Sequence, residues 1–345
     1  MRVRSFVSQP DCRPRVREFS RPDLNGWAPP TALLAGSDIV RLGVPPKSSD
    51  SVQLRRAPPS LQSIQVDVTT RMGALTPATP TGLGALDEML LGGLRTGTLA
   101  VFSGDHGVGK TALALLIAYM AARARAAVMF TSVTLDETEV MARLAARALY
   151  RDYPDSVTSF GAIWSGEAWR DDYTHVAVAT SVNTAVGKVG QLLHLHRARP
   201  FESTSELADH AAHLWARYDR VVLVIDGLEA FSAGAGGDLP KRAAANASFA
   251  NRVGEVAYEL RQVADSGCAV VTSVHARNAA LAVPAATLAA ELSLSTLTPP
   301  EPSLRHRELG ARPMDLVIAK NQLGPTGVVP LTFIAGASVF EERVA

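Results

Sequence analysis

Gly104-Asp105-His106-Gly107-Val108-Gly109-Lys110-Thr111 is the stretch from which the rest of the chain is read. It satisfies G-x-x-x-x-G-K-[ST] without a mismatch, with an apolar run (Leu99 to Phe102) leading in and a helix-forming run following. Glycines let backbone N–H groups close around the β- and γ-phosphates of a nucleotide, and the helix N-terminus adds the positive end of its dipole. Lys110 reaches the terminal phosphates, and the Thr111 hydroxyl can ligate Mg²⁺. All eight residues are therefore candidate contacts for ATP.

On either side of this loop, short β-branched runs alternate with amphipathic ones from Thr81 onward. Thr98 to Ser103, Ala127 to Val133, Val221 to Ile225, Ala269 to Val274, Leu292 to Leu297, Leu316 to Ala319 and Val328 to Ile334 read as strands, as does Leu192 to Arg197. Thr111 to Arg123, Glu137 to Tyr150, Glu206 to Tyr218 and Phe249 to Ala264 read as helices. This alternation predicts an α/β domain whose mainly parallel sheet is covered on both sides. Residues 151 to 190 and 276 to 312 are less regular.

A phosphate loop needs a carboxylate at the end of a neighbouring strand for its metal, and the run Val221 to Ile225 ends in Asp226. Thr111 and Asp226 are thus the candidate Mg²⁺ residues. Hydrolysis also needs a group that polarises water. Asp136 and Glu137, after the strand Ala127 to Val133, are candidates for that role and equally for first-turn acids of the next helix.

Composition narrows the class. The 345 residues carry 34 basic against 33 acidic side chains, so bulk electrostatics do not coat nucleic acid and any DNA contact is local. Cys12 and Cys268 stand far apart, and no disulfide framework or zinc module is indicated. The N-terminus lacks an apolar signal core and no apolar run spans a bilayer, so a cytoplasmic protein is expected. Residues 1 to 80 hold 11 of the 21 prolines and a net charge of +5, and Pro29-Pro30, Pro45-Pro46 and Pro58-Pro59 interrupt the candidate helices. Residues 1–77 are accordingly expected to form a basic, Pro/Arg-rich disordered arm, and 78–345 the folded domain. His194, His196, His210 and His213 fall on a strand and a helix, and are read as surface or packing residues without a metal.

Thr81-Gly82-Leu83, Leu86-Asp87 and Gly92-Gly93-Leu94 ahead of the phosphate loop, with Asp315 to Gly327 at the far end, resemble the ATPase domain of DnaB-type replicative helicases and their RecA, RadA and KaiC relatives. The resemblance implies a RecA-like core, a homo-oligomeric ring (a hexamer), ATP hydrolysis with Mg²⁺, and movement on single-stranded DNA. It places Asp136 at the catalytic glutamate position, or Thr134 if the match is made without a gap. His275 falls near a glutamine that senses the γ-phosphate, and Lys320 on a lysine reaching the neighbouring subunit's nucleotide. Gln322 stands where the family has an arginine finger. The Gly-rich loop Ser232 to Arg242 falls where such rings meet single-stranded DNA, with Lys241 and Arg242 as phosphate contacts. The alternatives are a RadA- or KaiC-like regulatory ATPase with slow hydrolysis and no unwinding, or a nucleotide-binding scaffold with a degenerate site.

Overall fold

The computed structural model describes residues 60–73, 77–232, 249–296 and 302–343. Residues 1–63 and 64–345 form two units. Helix α1 (Leu61–Gly73) lies in the stretch expected to be an arm without regular elements. The paired prolines end before it starts. Pro59 precedes the cap, and Ser60 Oγ accepts from the Ser63 N–H at 3.2 Å, so the proline punctuates a helix start.

In the second unit α2 (Gly84–Met89) leads to β1 (Leu99–Gly104), α3 (Lys110–Arg123), β2 (Ala127–Ser132) and α4 (Glu137–Asp152). Then come α5 (Phe160–Trp164), α6 (Asp172–Val189), β3 (Leu193–Arg197), α7 (Thr204–Trp215), β4 (Val221–Asp226) and α8 (Phe249–Asp265). After β5 (Ala269–His275) follow α9 (Ala279–Ala282), β6 (Leu288–Leu294), α10 (Leu304–Glu308) and the strands β7 (Ala311–Asn321), β8 (Gly327–Ile334) and β9 (Val339–Glu342).

Among the described residues nine strands make one sheet in the order β3-β2-β4-β5-β1-β6-β7-β8-β9. Pairing is parallel from β3 through β6 and antiparallel from there to β9. The expected mainly parallel α/β sheet is present.

Each central strand alternates its side chains between two layers, as a period-two strand buried on both faces must. Ala100 and Phe102 of β1 join the core under α3, with Leu113, Leu116 and Ile117. Leu99 and Val101 join the opposite core under α7 and α8, with Leu207, Leu214, Val256 and Leu260. Register then brings one end of the sheet together: Gly104 lies opposite His275, and Ser132 opposite Asp226.

Three sequence expectations need correction. The strand expected at Leu292 to Leu297 is β6, Leu288–Leu294, whose start is the alanine-rich Leu288-Ala289-Ala290. Those small residues are buried between β1 and β7, so packing overrides their weak strand preference. The irregular stretch 151 to 190 contains α6, which buries only Val178, Ser181, Ala185 and Val189, a stripe too narrow for a clear amphipathic signal. Strand β9 follows no run that the sequence marks as a strand. No helix among the described residues is long and apolar enough to cross a membrane.

Candidate active site

At the C-terminal end of β1 the chain must turn into α3 within a few residues, and backbone conformation decides which residues can do it. Gly107 and Gly109 have φ of +75° and +103°, the left-handed region open chiefly to glycine. A Cβ on Gly109 would also stand 2.8 Å from the Phe333 ring. The resulting loop leads into the N-terminus of α3, and Lys110 Nζ donates to the carbonyl oxygens of Gly104 and Asp105 at 2.7 and 2.8 Å. Burial lowers the Lys110 pKa, and the charges of Glu229, Asp226 and Asp105 oppose that shift.

Asp226 ends β4, and two hydroxyls hold its buried carboxylate: Thr111 Oγ1 donates to its Oδ2 at 2.9 Å, and Ser273 Oγ on β5 donates to its Oδ1 at 2.9 Å. Ser273 in turn accepts from the Gly227 N–H at 2.9 Å, which fixes the strand-to-loop turn. Burial raises the Asp226 pKa, and the two hydroxyl donors and Lys110 pull it back. A hydroxyl and a carboxylate oxygen in contact are hard oxygen donors of the kind Mg²⁺ takes, and an ion carrying positive charge would stabilise the ionised carboxylate that burial disfavours.

These groups line a cleft of about 630 Å³. His275 is there too, its ring 4.4 Å from that of His106 and its Nε2 3.9 Å from Asp105. Thr134 lines the cleft, whereas Asp136 and Glu137 do not. Asp136 is the N-cap of α4 and accepts from the Glu139 N–H at 2.7 Å; Glu137 is a first-turn acid of that helix. Of the two readings open for this pair, the geometry is that of the helix terminus.

Lys320 Nζ donates to Val283 O and Pro284 O at 3.0 and 3.2 Å and does not line the cleft of its own chain. Gln322 is exposed just beyond β7. Lys241 and Arg242 lie outside the described residues.

The cleft also holds groups that motif reading missed. Glu229 stands three residues after Asp226, beyond a turn at Gly227 with φ +86°, and its Oε1 accepts from the His275 N–H at 2.6 Å and Asn278 Nδ2 at 3.1 Å. A second acid so soon after the strand end was the available signal. Arg143 of α4 and Arg277 beyond β5 line the cleft, and Arg312 of β7 donates to Gly107 O at 3.0 Å. No sequence spacing marks these arginines, because three distant elements bring them together. Phe160 lies under Arg143 at 4.2 Å and, with Phe333, gives the cleft an apolar wall.

The family model described as DnaB-like helicase C terminal domain matches residues 78–274. Among solved structures, a DnaB-like replicative helicase studied for its interactions with primase is similar at a TM-score of 0.62 and 19% identity, over 82% of this chain and 67% of that one. A second solved structure, of an ATPase domain, is similar at a TM-score of 0.63 and 19% identity, over 82% of this chain and 99% of that one. At such identity the two structures speak to the fold. No curated protein matches the chain.

Proposed function

This chain belongs to the DnaB-like helicase C-terminal domain family, and from that premise we propose that it is an ATP hydrolase of the replicative-helicase type, working as a homo-oligomeric, hexameric ring on single-stranded DNA. The observation that carries the hydrolase reading is the 2.9 Å contact between Thr111 and Asp226 at the mouth of an intact phosphate loop. Residues 78–345 are taken as one ATPase domain, extending the matched 78–274 through the strands that carry Arg312, Phe333 and Lys320.

In this reading Gly104 to Thr111 bind the phosphates, and Lys110 Nζ exchanges two carbonyl oxygens for phosphate oxygens. Thr111 and Asp226 would hold Mg²⁺, which would supply positive charge against the negative charge developing on the phosphates. Glu229 takes the part expected of Asp136 or Glu137: its carboxylate orients a water and accepts its proton as the oxygen attacks the γ-phosphorus and the bond to ADP breaks. His275 rests its backbone N–H on Glu229 and its ring on His106, which links the loop to the β5 end. Lys320, outside its own cleft, is left to complete a neighbour's site.

Two features favour a second reading, a regulatory ATPase with slow turnover and no unwinding. The turn after β2 sends Thr134 and no carboxylate to the cleft, and the family resemblance puts Gln322 where an arginine finger is expected. Losing an arginine finger costs orders of magnitude in rate.

Steady-state ATP hydrolysis with and without single-stranded DNA, with Lys110→Ala as the blank, separates the readings. DNA stimulation is the expected result. Slow turnover indifferent to DNA selects the regulatory ATPase, and nucleotide binding without turnover overturns the hydrolase reading.

A further inference from the structure

His196 lies near the end of the edge strand β3 and His210 lies midway along α7, and the fold brings them together over a carboxylate that neither element supplies. Glu202, in the turn between them, has a side chain only 2% exposed. Its Oε1 is 2.7 Å from His196 Nε2 and 3.9 Å from His210 Nε2. Its Oε2 accepts from the Arg199 N–H at 2.9 Å, and its own carbonyl accepts from the Ser232 N–H at 3.1 Å, so side chain and backbone are both held. The two imidazole rings are 4.5 Å apart and inclined at 42°. All three ligand atoms lie within 4.8 Å of one another, and none of the three residues lines the ATP cleft.

Against the sequence reading of His196 and His210 as packing residues, in which Glu202 has no part, we infer that His196, Glu202 and His210 form a transition-metal site, selective for zinc(II) over magnesium, distinct from the Mg²⁺ pair of the ATP cleft. Two imidazole nitrogens and one carboxylate oxygen are a donor set that zinc takes in tetrahedral geometry, whereas magnesium prefers oxygen ligands and octahedral geometry. Metal–ligand bonds of about 2.0–2.1 Å put neighbouring ligand atoms of a tetrahedron about 3.4 Å apart. The observed 2.7 and 3.9 Å bracket that spacing. A small rotation of His210, whose side chain is 52% exposed, shortens the longer separation and leaves its open side for a water as fourth ligand, while the hydrogen-bonded His196 and Glu202 must part by several tenths of an ångström to admit the ion between them.

A buried carboxylate is expensive unless charge or hydrogen bonds compensate it; here the Arg199 N–H and the His196 imidazole bond to it while the exposed Arg199 guanidinium stands 4.0 Å away, and a dication held directly on Oε1 compensates it more fully. The bound metal would tie β3 to α7 across the turn at Arg199 and Glu202, where Thr204 N–H and Ser232 N–H also cross-link the chain. It would brace the turn beside β4 and leave the phosphate loop untouched.

The test is titration of cobalt(II), as a spectroscopic stand-in for zinc, into the untagged, chelator-treated full chain with excess Mg²⁺ present. Intense visible bands of tetrahedral cobalt saturating at one ion per chain, displaced by zinc, are expected. His210→Asn, a change at an exposed side chain, is expected to weaken binding by at least about ten-fold. His196→Asn/His210→Asn together are expected to abolish the bands, with circular dichroism reporting that the fold is kept. Absence of bands in the wild-type chain, octahedral spectra only, or undiminished binding in the folded double variant would overturn the site. Nucleotide binding and ATP turnover are measured in the same samples, so a failed metal site and a failed ATPase reading register separately.

Discussion

At the end of β1 the chain turns through Gly104 and Gly109 into α3, and elsewhere along the same sheet β2 turns through Val133 and Asp136 into α4. Both turns follow a fully buried strand and open a helix. In the first, two left-handed glycines and a lysine line the cleft. In the second, the carboxylate that resembles a catalytic one turns back on its own helix as a cap, and a threonine faces the cleft. The difference shows what kind of residue pattern can be read without a structure. A loop of backbone donors leaves few choices at each position, so its residues declare themselves. An acid after a strand has two stable uses, capping or chemistry, and only the path of the following residues decides between them.

Removing Lys110 should give the largest effect, since it strikes the turn whose assignment rests on the most constraints. Lys110→Ala is expected to lower ATP turnover by at least about 100-fold, the scale of losing a single charge-stabilising donor, with the melting profile close to wild type. Wild-type turnover from the purified variant would break the comparison at its stronger end.

The second turn is tested by moving the chemical role to Glu229. Glu229→Gln keeps an acceptor for the His275 N–H and Asn278, and is expected to reduce kcat by about 100-fold, as loss of a general base does, while nucleotide affinity is preserved. Single-turnover kinetics and nucleotide titration measure the two quantities. If Glu229→Gln hydrolyses ATP normally while Asp136→Asn does not, the roles given to the two acids are reversed.

The same contrast shows how much is legible in the sequence. Strands β1, β2, β4 and β5 and helices α3, α4, α7 and α8 fall within a few residues of the runs that announce them, because each carries an apolar pattern of its own period. Thr111 and Asp226 are paired by motif logic alone, and they touch. Arg143, Arg277 and Arg312 are invisible to it, since no short spacing links α4, the turn after β5 and β7. Ser273 is hidden for a related reason: its value lies in its position beside Asp226 across two parallel strands, which composition does not encode. Helix α6 escapes detection because several of its apolar residues, Val176 and Val186 among them, face outward.

Asp226 offers a test in which stability and activity move in opposite directions. Burial raises its pKa, so ionising the carboxylate costs the folded chain stability; the penalty is present above the folded-state pKa and is lost as pH falls through it toward the unfolded-state value. Asp226→Asn is therefore expected to melt higher than wild type at pH 7 in the absence of metal, by roughly 2–4 °C for each kcal/mol of relieved penalty. The advantage should shrink on acidification, where wild-type Asp226 takes up its proton, while Mg²⁺-dependent turnover is lost at every pH. A variant that melts lower at pH 7 and higher in acid would contradict the burial argument.

The smallest effect returns to the cap. Asp136 is joined to the Glu139 N–H at 2.7 Å at the start of α4, and that bond satisfies one of the donors a helix leaves open in its first turn. Asp136→Ala removes it and is expected to destabilise the chain by about 1 kcal/mol, whereas Asp136→Ser restores a capping oxygen and most of that loss. Neither change removes a cleft group, so turnover per folded molecule should stay near wild type in both. Chemical denaturation measures the first quantity and hydrolysis at saturating ATP the second. A capping residue and a catalytic one part company at serine: it caps well and makes a poor base. Rescue of stability without a change in rate keeps Asp136 on its helix, and a rate that collapses in both variants would return it to the cleft.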